Sequence, residues 1–256
     1  MKAEKLVATA PASIIALKFI SSLNYLLIGQ TEGGVHVIDL KEGKEISYLK
    51  DHVGYIFALE YIKDKEELII ASGDGTISIW SLKSFKQLYK KRVGEKKIRD
   101  LAFSKKRNEM AVASGDGTVH FFNCVDWSTK FTISPLTSSV NTVVYDESHE
   151  HIIIGEKDAH LKVYDLNSKG IVHDIAAHYW AIYDLKFSPS QQLFATASRD
   201  KTVKIWDAAN FKVLKRIEGL KDLGHTHSVN TLLWTSFHNY LISAGDDGKV
   251  KVWIVE

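Results

Sequence analysis

A chain of 256 residues that is 45% hydrophobic and 25% charged can bury a sizeable core and is too balanced to stay disordered. Its net charge of +2, with both signs mixed along the chain, lacks the basic excess that drives phosphate-backbone binding, so nucleic acid is disfavoured as a partner. A single cysteine, Cys124, excludes an internal disulfide framework; no segment reaches the roughly 20 apolar residues of a membrane span, and the opening MKAEKLVATAPAS has no signal-like apolar stretch.

Taken together these predict a cytoplasmic protein with no membrane contact. The length would admit two domains, yet closed all-β architectures often occupy it as one. The chain then runs through six copies of one plan: an alternating run ending in an aromatic, a turn, an apolar run, a tight Gly/Asp turn, and a second alternation. Copy one holds YLLIGQTEGGVHVID, copy two IIASGDGTISIWS and copy three EMAVASGDGTVHFFN. Copy four is HIIIGEKDAHLKVYD. Copy five, AIYDLKFSPSQQLFATASRDKTVKIWDA followed by FKVLKRIE, is the clearest, and copy six repeats it as VNTLLWTSFHNYLISAGDDGKVKVWIV.

The residue closing the third run of each copy is Ile38, Trp80, Phe122, Tyr164, Trp206 and Trp253, in steps of 42, 42, 42, 42 and 47. The aromatic closing the first run, at Phe19, Tyr61, Phe103, Tyr145, Phe187 and Trp234, keeps the same steps. A period near 42 matches one four-stranded propeller blade. Within a copy the apolar period is two, so the units are strands. Only three prolines interrupt the chain, as strand interiors require. The longer step lies between Trp206 and Trp234, near EGLKDLG, where a surface insertion costs little.

The predicted fold is all-β: a six-bladed β-propeller of four-stranded antiparallel blades in a single domain, 1–256. The blades fall at about 12–50, 51–93, 94–135, 136–176, 177–219 and 224–256. The sixth lacks an outer strand, and residues 2–9 stand where an outer strand precedes every other copy. The expectation is that this N-terminal strand pairs with the last blade and closes the ring, since closure removes exposed sheet edges. Nothing in the chain supplies a seventh blade; insertion of a blade by a partner is the alternative to self-closure.

These residues resemble the WD-repeat β-propellers along the whole chain. The hallmark of that family is a buried network in each blade: a His before the first strand, a Ser or Thr in the second, an Asp in the tight turn and a Trp in the third. Copy five matches at His178, Thr196, Asp200 and Trp206, and copy six at His225, Ser243, Asp247 and Trp253, both with spacings of 18, 4 and 6. Copy two keeps His52, Asp74 and Trp80 but has Ile70 at the hydroxyl position. Copies three and four keep only the turn acids, Asp116 and Asp158, and copy one has Glu32. Such a network satisfies a carboxylate that would be costly to bury alone.

A His-Ser-Asp set also suggests a hydrolase triad. That reading fails because the Ser lies in a central strand between packed sheets, and copying an active site across blades has no catalytic logic. No catalytic residue is assigned. The SGDGT elements at Ser72 to Thr76 and Ser114 to Thr118 lack the Gly-Lys-Ser/Thr ending of a phosphate loop, whereas Asp-Gly between alternating strands signals a hairpin. His149 with His151 and His225 with His227 have no third metal ligand in company. Neither a metal nor a cofactor is implied. Cys124 fits a small core residue, and the basic run KKRVGEKK fits a solvated outer strand and connection.

In the family that the chain resembles, partner contacts sit three and five places after the blade His and just before the turn Asp. By position these are Tyr55 and Phe57 in blade two, Lys97 and Arg99 in blade three, and Ser139, Asn141 and Lys157 in blade four. Tyr183 and Arg199 in blade five and Asn230 and Asp246 in blade six complete the set, with Trp180 close by. Aromatics with Arg and Lys are the types enriched at interface hot spots. The resemblance therefore implies a non-catalytic scaffold binding a protein or peptide on the loop face around the channel. Phe57 and Trp180 have an alternative use in packing between blades. A coat or assembly subunit binding through blade edges is the competing reading; a channel enzyme, which needs carboxylates converging at the mouth, is disfavoured because these positions supply Asp246 and no comparable partner.

Overall fold

The computed structural model describes residues 12–219 and 221–255. Its strands group into six antiparallel sheets in chain order. The first holds β1 (Ile14–Ile20), β2 (Tyr25–Gln30), β3 (Gly34–Asp39) and β4 (Lys44–Lys50). The second holds β5 (Ile56–Ile62), β6 (Glu67–Ser72), β7 (Thr76–Ser81) and β8 (Lys86–Arg92). The third holds β9 (Ile98–Ser104), β10 (Glu109–Ser114), β11 (Thr118–Asn123) and β12 (Thr129–Ile133), and the fourth β13 (Val140–Asp146), β14 (His151–Glu156), β15 (His160–Asp165) and β16 (Gly170–Ala176). The fifth holds β17 (Ile182–Phe187), β18 (Leu193–Ser198), β19 (Val203–Asp207) and β20 (Val213–Ile217). In the sixth, β21 (Val229–Trp234), β22 (Tyr240–Gly245) and β23 (Val250–Ile254) are described. The fold is thus all-β, a six-bladed propeller of antiparallel blades, each packed against its neighbour in sequence. The pairing expected of residues 2–9 with the last blade lies outside the described residues.

The 42-residue period is written in the backbone even where the side chains have drifted. Gly33, Gly75, Gly117, Ala159, Lys201 and Gly248 occupy one turn position, all with positive φ. Glycine is required at the second of these, because a Cβ on Gly75 would lie 2.2 Å from the Gly94 carbonyl oxygen. Asn24, Glu66, Asn108 and Glu150 mark the first turn of four copies in the same left-handed region, and Phe85, Trp127, Lys169 and Phe211 mark the third. Every inner strand carries a register shift near its start, from Ile14/Ala16 in β1 to Val229/Thr231 in β21.

Burial decides which strand stands where. The second and third strands of blades two to five are almost wholly buried, as in β6 (ELIIAS) and β7 (TISIWS), because both faces meet neighbouring sheets. Outer strands such as β8, KQLYKKR, alternate little and face solvent. Five apolar clusters fill the five junctions between consecutive blades; the one between blades one and two joins Leu27, Val35 and Val37 to Ile56, Leu59 and Leu68. The innermost strands β1 and β5, β5 and β9, β9 and β13, β13 and β17, and β17 and β21 run side by side, and no comparable packing joins β21 to β1.

Candidate functional site

Each blade ties the loop before its inner strand to its tight turn by the same backbone hydrogen bond. The Gly73 N–H donates to the Tyr55 carbonyl at 2.8 Å, Gly115 to Lys97 at 2.8 Å and Lys157 to Ser139 at 2.9 Å. Arg199 donates to Ala181 and Asp246 to Ser228, each at 2.9 Å. These rungs put the residues beside the turn Asp and those preceding the inner strand on one face, which is why positions so far apart in sequence converge.

Beneath the rungs lies the buried network. In blade five His178 Nδ1 is 2.9 Å from Asp200, His178 Nε2 is 2.7 Å from the Thr196 hydroxyl, and Trp206 Nε1 donates to that hydroxyl at 2.9 Å. Blade six repeats this with His225, Asp247, Ser243 and Trp253. An ionised Asp only accepts, so Nδ1 carries the proton, Nε2 accepts from the hydroxyl, and the hydroxyl oxygen accepts from the indole. The chain of bonds thus has one direction, and Thr196 and Ser243 are buried in it.

Blade two departs from the expected plan in an informative way. Ile70 is buried in the apolar core, and the hydroxyl comes from the neighbouring third strand: Ser78 Oγ lies 2.7 Å from His52 Nε2 and accepts from Trp80 Nε1 at 2.9 Å. His52 Nδ1 reaches Asp74 at 3.1 Å. Blades three and four keep more than their turn acids. Thr118 donates to Asp116 at 2.6 Å and lies 2.8 Å from His120 Nε2, while buried Glu156 pairs with buried Lys162 at 3.2 Å and accepts from the Ser138 N–H.

Burial works to raise the Asp74, Asp200 and Asp247 carboxyls, but hydrogen bonds from the blade His and from backbone N–H groups prevail, aided by a Thr hydroxyl at Asp74 and Asp200; all three lie well below the usual carboxylate range, Asp247 at about 2. Burial pulls His178 down against the pull of Asp200. In each case the unfolded chain binds the proton more readily, so acid destabilises the fold. Stability is therefore predicted to fall first as pH drops below about 6.5, through His178, and again below about 3.9, through the three carboxylates. Thermal midpoints measured from pH 8 to pH 2 check this; a midpoint that rises on acidification contradicts it.

On the loop face, Tyr55 and Phe57 lie with ring centroids 5.9 Å apart. The Arg99 guanidinium stacks over Phe57 at 4.7 Å, and Lys97 Nζ is 5.8 Å from both rings. Arg99 Nε is buried without a hydrogen-bond partner, and burial lowers the guanidinium's pKa while Tyr183 opposes that shift. In blade five, Arg199 lies over exposed Trp180 at 5.2 Å. Other positions are engaged locally: Asn141 donates to the Ile182 carbonyl at 2.9 Å, and Asn230 donates to Asp246 at 2.5 Å. Tyr179, which no spacing rule flagged, is the most exposed aromatic here and lies under Arg216 at 5.5 Å.

The inner strands bring together carboxylates that the loop-face positions did not include. Asp100, Asp184 and Glu60 stand there with Lys186 and Lys18. Each carboxylate is committed. Asp100 accepts from the Val143 and Leu101 N–H groups and the Thr142 hydroxyl; Asp184 accepts from the Leu232 and Leu185 N–H groups, the Thr231 hydroxyl and, at 2.6 Å, Lys186. Asp100 and Asp184 thus clamp one inner strand to the next, while Glu60 accepts from Lys18 of the preceding blade at 2.9 Å. Of the remaining candidates, His149 pairs with Asp146 and His151 with Asp165, while His227 lies 3.1 Å from the Thr226 hydroxyl. Cys124 is buried, its thiol pushed up to about 12 by burial.

With this geometry in place, comparison with known proteins is direct. The family model for the WD domain, G-beta repeat, matches residues 43–81, 86–123, 170–207 and 217–253, and the chain belongs to that family. Among curated relatives it is 31% identical over 127 residues to nuclear distribution protein PAC1 of Arthroderma otae, covering 46% of this chain and 27% of that protein. It is 29% identical over 127 residues to the ribosome biogenesis protein WDR12 homolog of Drosophila virilis, covering 48% and 29%. The matches thus span less than a third of these relatives. The crystal structure of the computationally designed Ika8 protein shares the fold, with a TM-score of 0.75 at 24% identity over 95% of this chain and 71% of that one. Among the described residues no helix is long and apolar enough to cross a membrane.

Proposed function

We propose that the protein is a non-catalytic interaction scaffold of the cytoplasm, holding an acidic or aromatic-bearing peptide segment across Tyr55, Phe57, Arg99, Trp180, Tyr183 and Arg199. The observation that carries this is the Arg99–Phe57 stack. It offers a half-buried cation whose Nε has no partner, beside exposed Tyr55 and cationic Lys97. A carboxylate gains most from a guanidinium that is already positioned and partly desolvated. Rigid blades beneath the loops keep the ordering cost of binding low. The relatives carry names of cellular processes, nuclear distribution and ribosome biogenesis, which fits a role in assemblies.

The test compares partner capture from native lysate by the natural chain and by the Arg99→Ala/Tyr183→Ala variant. Hot-spot truncation of this kind lowers affinity at least about 30-fold, while the thermal midpoint should stay in place because both side chains reach solvent. Unchanged capture removes this face from consideration. A second reading, an assembly subunit that binds through blade edges, is favoured by the exposed apolar faces of β1 and β23.

A further inference from the structure

The largest excess of one charge along the chain lies around β8, which neither the blade networks nor the loop face employs. Residues 83–96 hold six Lys and Arg against one acid, Glu95, a net +5 in a chain whose total is +2, so the other residues together sum to −3. The strand ends its sheet, paired only with β7, and is exposed at every residue but the half-buried Lys91. Charge sets it apart from the other outer strands. β8 carries four cations and no acid, β20 two cations, β4 two cations and an acid, β12 one cation and β16 one acid. The cations stand on both faces of the strand. Lys90 Nζ meets Asp51, which follows β4, at 2.9 Å, whereas Lys91 Nζ lies 4.7 Å from the Phe122 ring of blade three and donates to the Trp127 carbonyl at 3.0 Å. Arg92 approaches Glu95, exposed like itself, at 3.9 Å, a weak pairing that leaves its charge available.

We propose that the edge of β8 is a second docking site, which takes an acidic, extended segment of a partner protein as a fifth strand of blade two. This goes beyond the loop-face reading and uses none of its residues. Two properties of the edge select that occupant. An edge strand offers N–H and C=O groups in alternation, and another strand satisfies both, whereas the phosphate oxygens of a nucleic acid or a lipid headgroup only accept. Lysine on an edge repels a second basic edge, which bars a copy of β8 and leaves an acidic strand as its complement. The register then sets the pattern of the segment. A shift between Ile79 and Trp80 leaves Leu88 bulged out of the ladder, so the uninterrupted edge begins at Tyr89. A strand laid along it has positions opposite Lys90, Lys91 and Arg92, where carboxylates pair, and one opposite exposed Tyr89, where an apolar side chain packs. A segment with three successive acids and an apolar residue on each side meets those demands in either direction.

The probe is a fluorescein-labelled Val-Glu-Glu-Glu-Val peptide, its polarisation followed as the full chain is titrated in at about 0.1 M salt. Binding should weaken at least about tenfold in Lys91→Glu/Arg92→Glu, and about threefold in the exposed single change Arg92→Glu, which serves if the double variant melts early. Two N-methylated peptides separate strand addition from simple attraction, one methylated at the first and third Glu, the other at the central Glu and both Val. Each lacks the N–H donors of one edge, so one should bind like the parent and the other should lose at least about tenfold. Equal binding of the two methylated peptides, or no binding of the parent, overturns the proposal. So does tighter binding of a uridine oligomer, or of phosphatidylcholine vesicles containing phosphatidylserine, that the same charge reversal cancels, since the occupant is then a nucleic acid or a membrane. Arg99→Ala/Tyr183→Ala should leave peptide binding unchanged. Loss of binding in that variant would put the peptide on the loop face, overturning the β8 site while the loop-face reading stands.

Discussion

Replacing Asp200 by Ala should destabilise the chain by about 2–5 kcal/mol, since it leaves two donors without an acceptor at about 1–3 kcal/mol each. His178 would lose its Nδ1 partner, and the Tyr179 N–H would lose the acceptor that it meets at 3.1 Å. The directed chain through Thr196 to the Trp206 indole would lose the group that orients it. Asp158→Ala serves as the contrast. Asp158 is exposed and accepts from Thr137 at 3.1 Å in a blade whose buried charge is carried by Glu156 and Lys162, so its loss should cost no more than about 1 kcal/mol. Denaturant unfolding of the two variants checks the difference; equal effects would mean that the His-Asp network is not what holds blade five.

Leu185→Ala and Leu17→Ala should differ by several kcal/mol although they change the same repeat position. Leu185 is fully buried between blades four and five, and truncating it should cost about 2–5 kcal/mol through lost burial and the cavity left behind. Leu17 is 62% exposed, and its truncation should stay within about 0.5 kcal/mol. If both cost the same in the isolated chain, Leu17 is buried in solution and the sixth junction is packed like the others.

The parts of the fold legible in the sequence are those fixed by periodicity. Alternation, Asp-Gly turns and the aromatic steps of 42 define strands, blades and their order, because a side-chain period of two and a blade period are both properties of sequence spacing. Substitutions across strands are less legible. Ser78 takes the hydroxyl role that Ile70 cannot fill, and seeing this requires knowing that β6 and β7 place these two residues opposite each other, as their pairing does. The Asp100 and Asp184 clamps share a repeat position with Ala16, Ala58, Thr142 and Thr231, so no repeated residue type points to them. Their role depends on the register shift that opens the next inner strand's N–H groups to a carboxylate. The loop-face positions could be located by offset from the blade His. The Phe57–Arg99 stack could not, because it depends on how far one blade is rotated from the next, whereas Trp180 and Arg199 meet within blade five through the rung that joins its loop to its turn.

The most direct measurement of the scaffold reading is hydrogen–deuterium exchange of the full chain with and without its captured partner. Slowed exchange is predicted in the loops leading into β5, β9 and β17 and in the turns at 73–75, 115–117 and 199–202, with the outer strands β8, β12, β16 and β20 unchanged. Protection confined to those outer strands, with the loop face exchanging as before, would contradict the account.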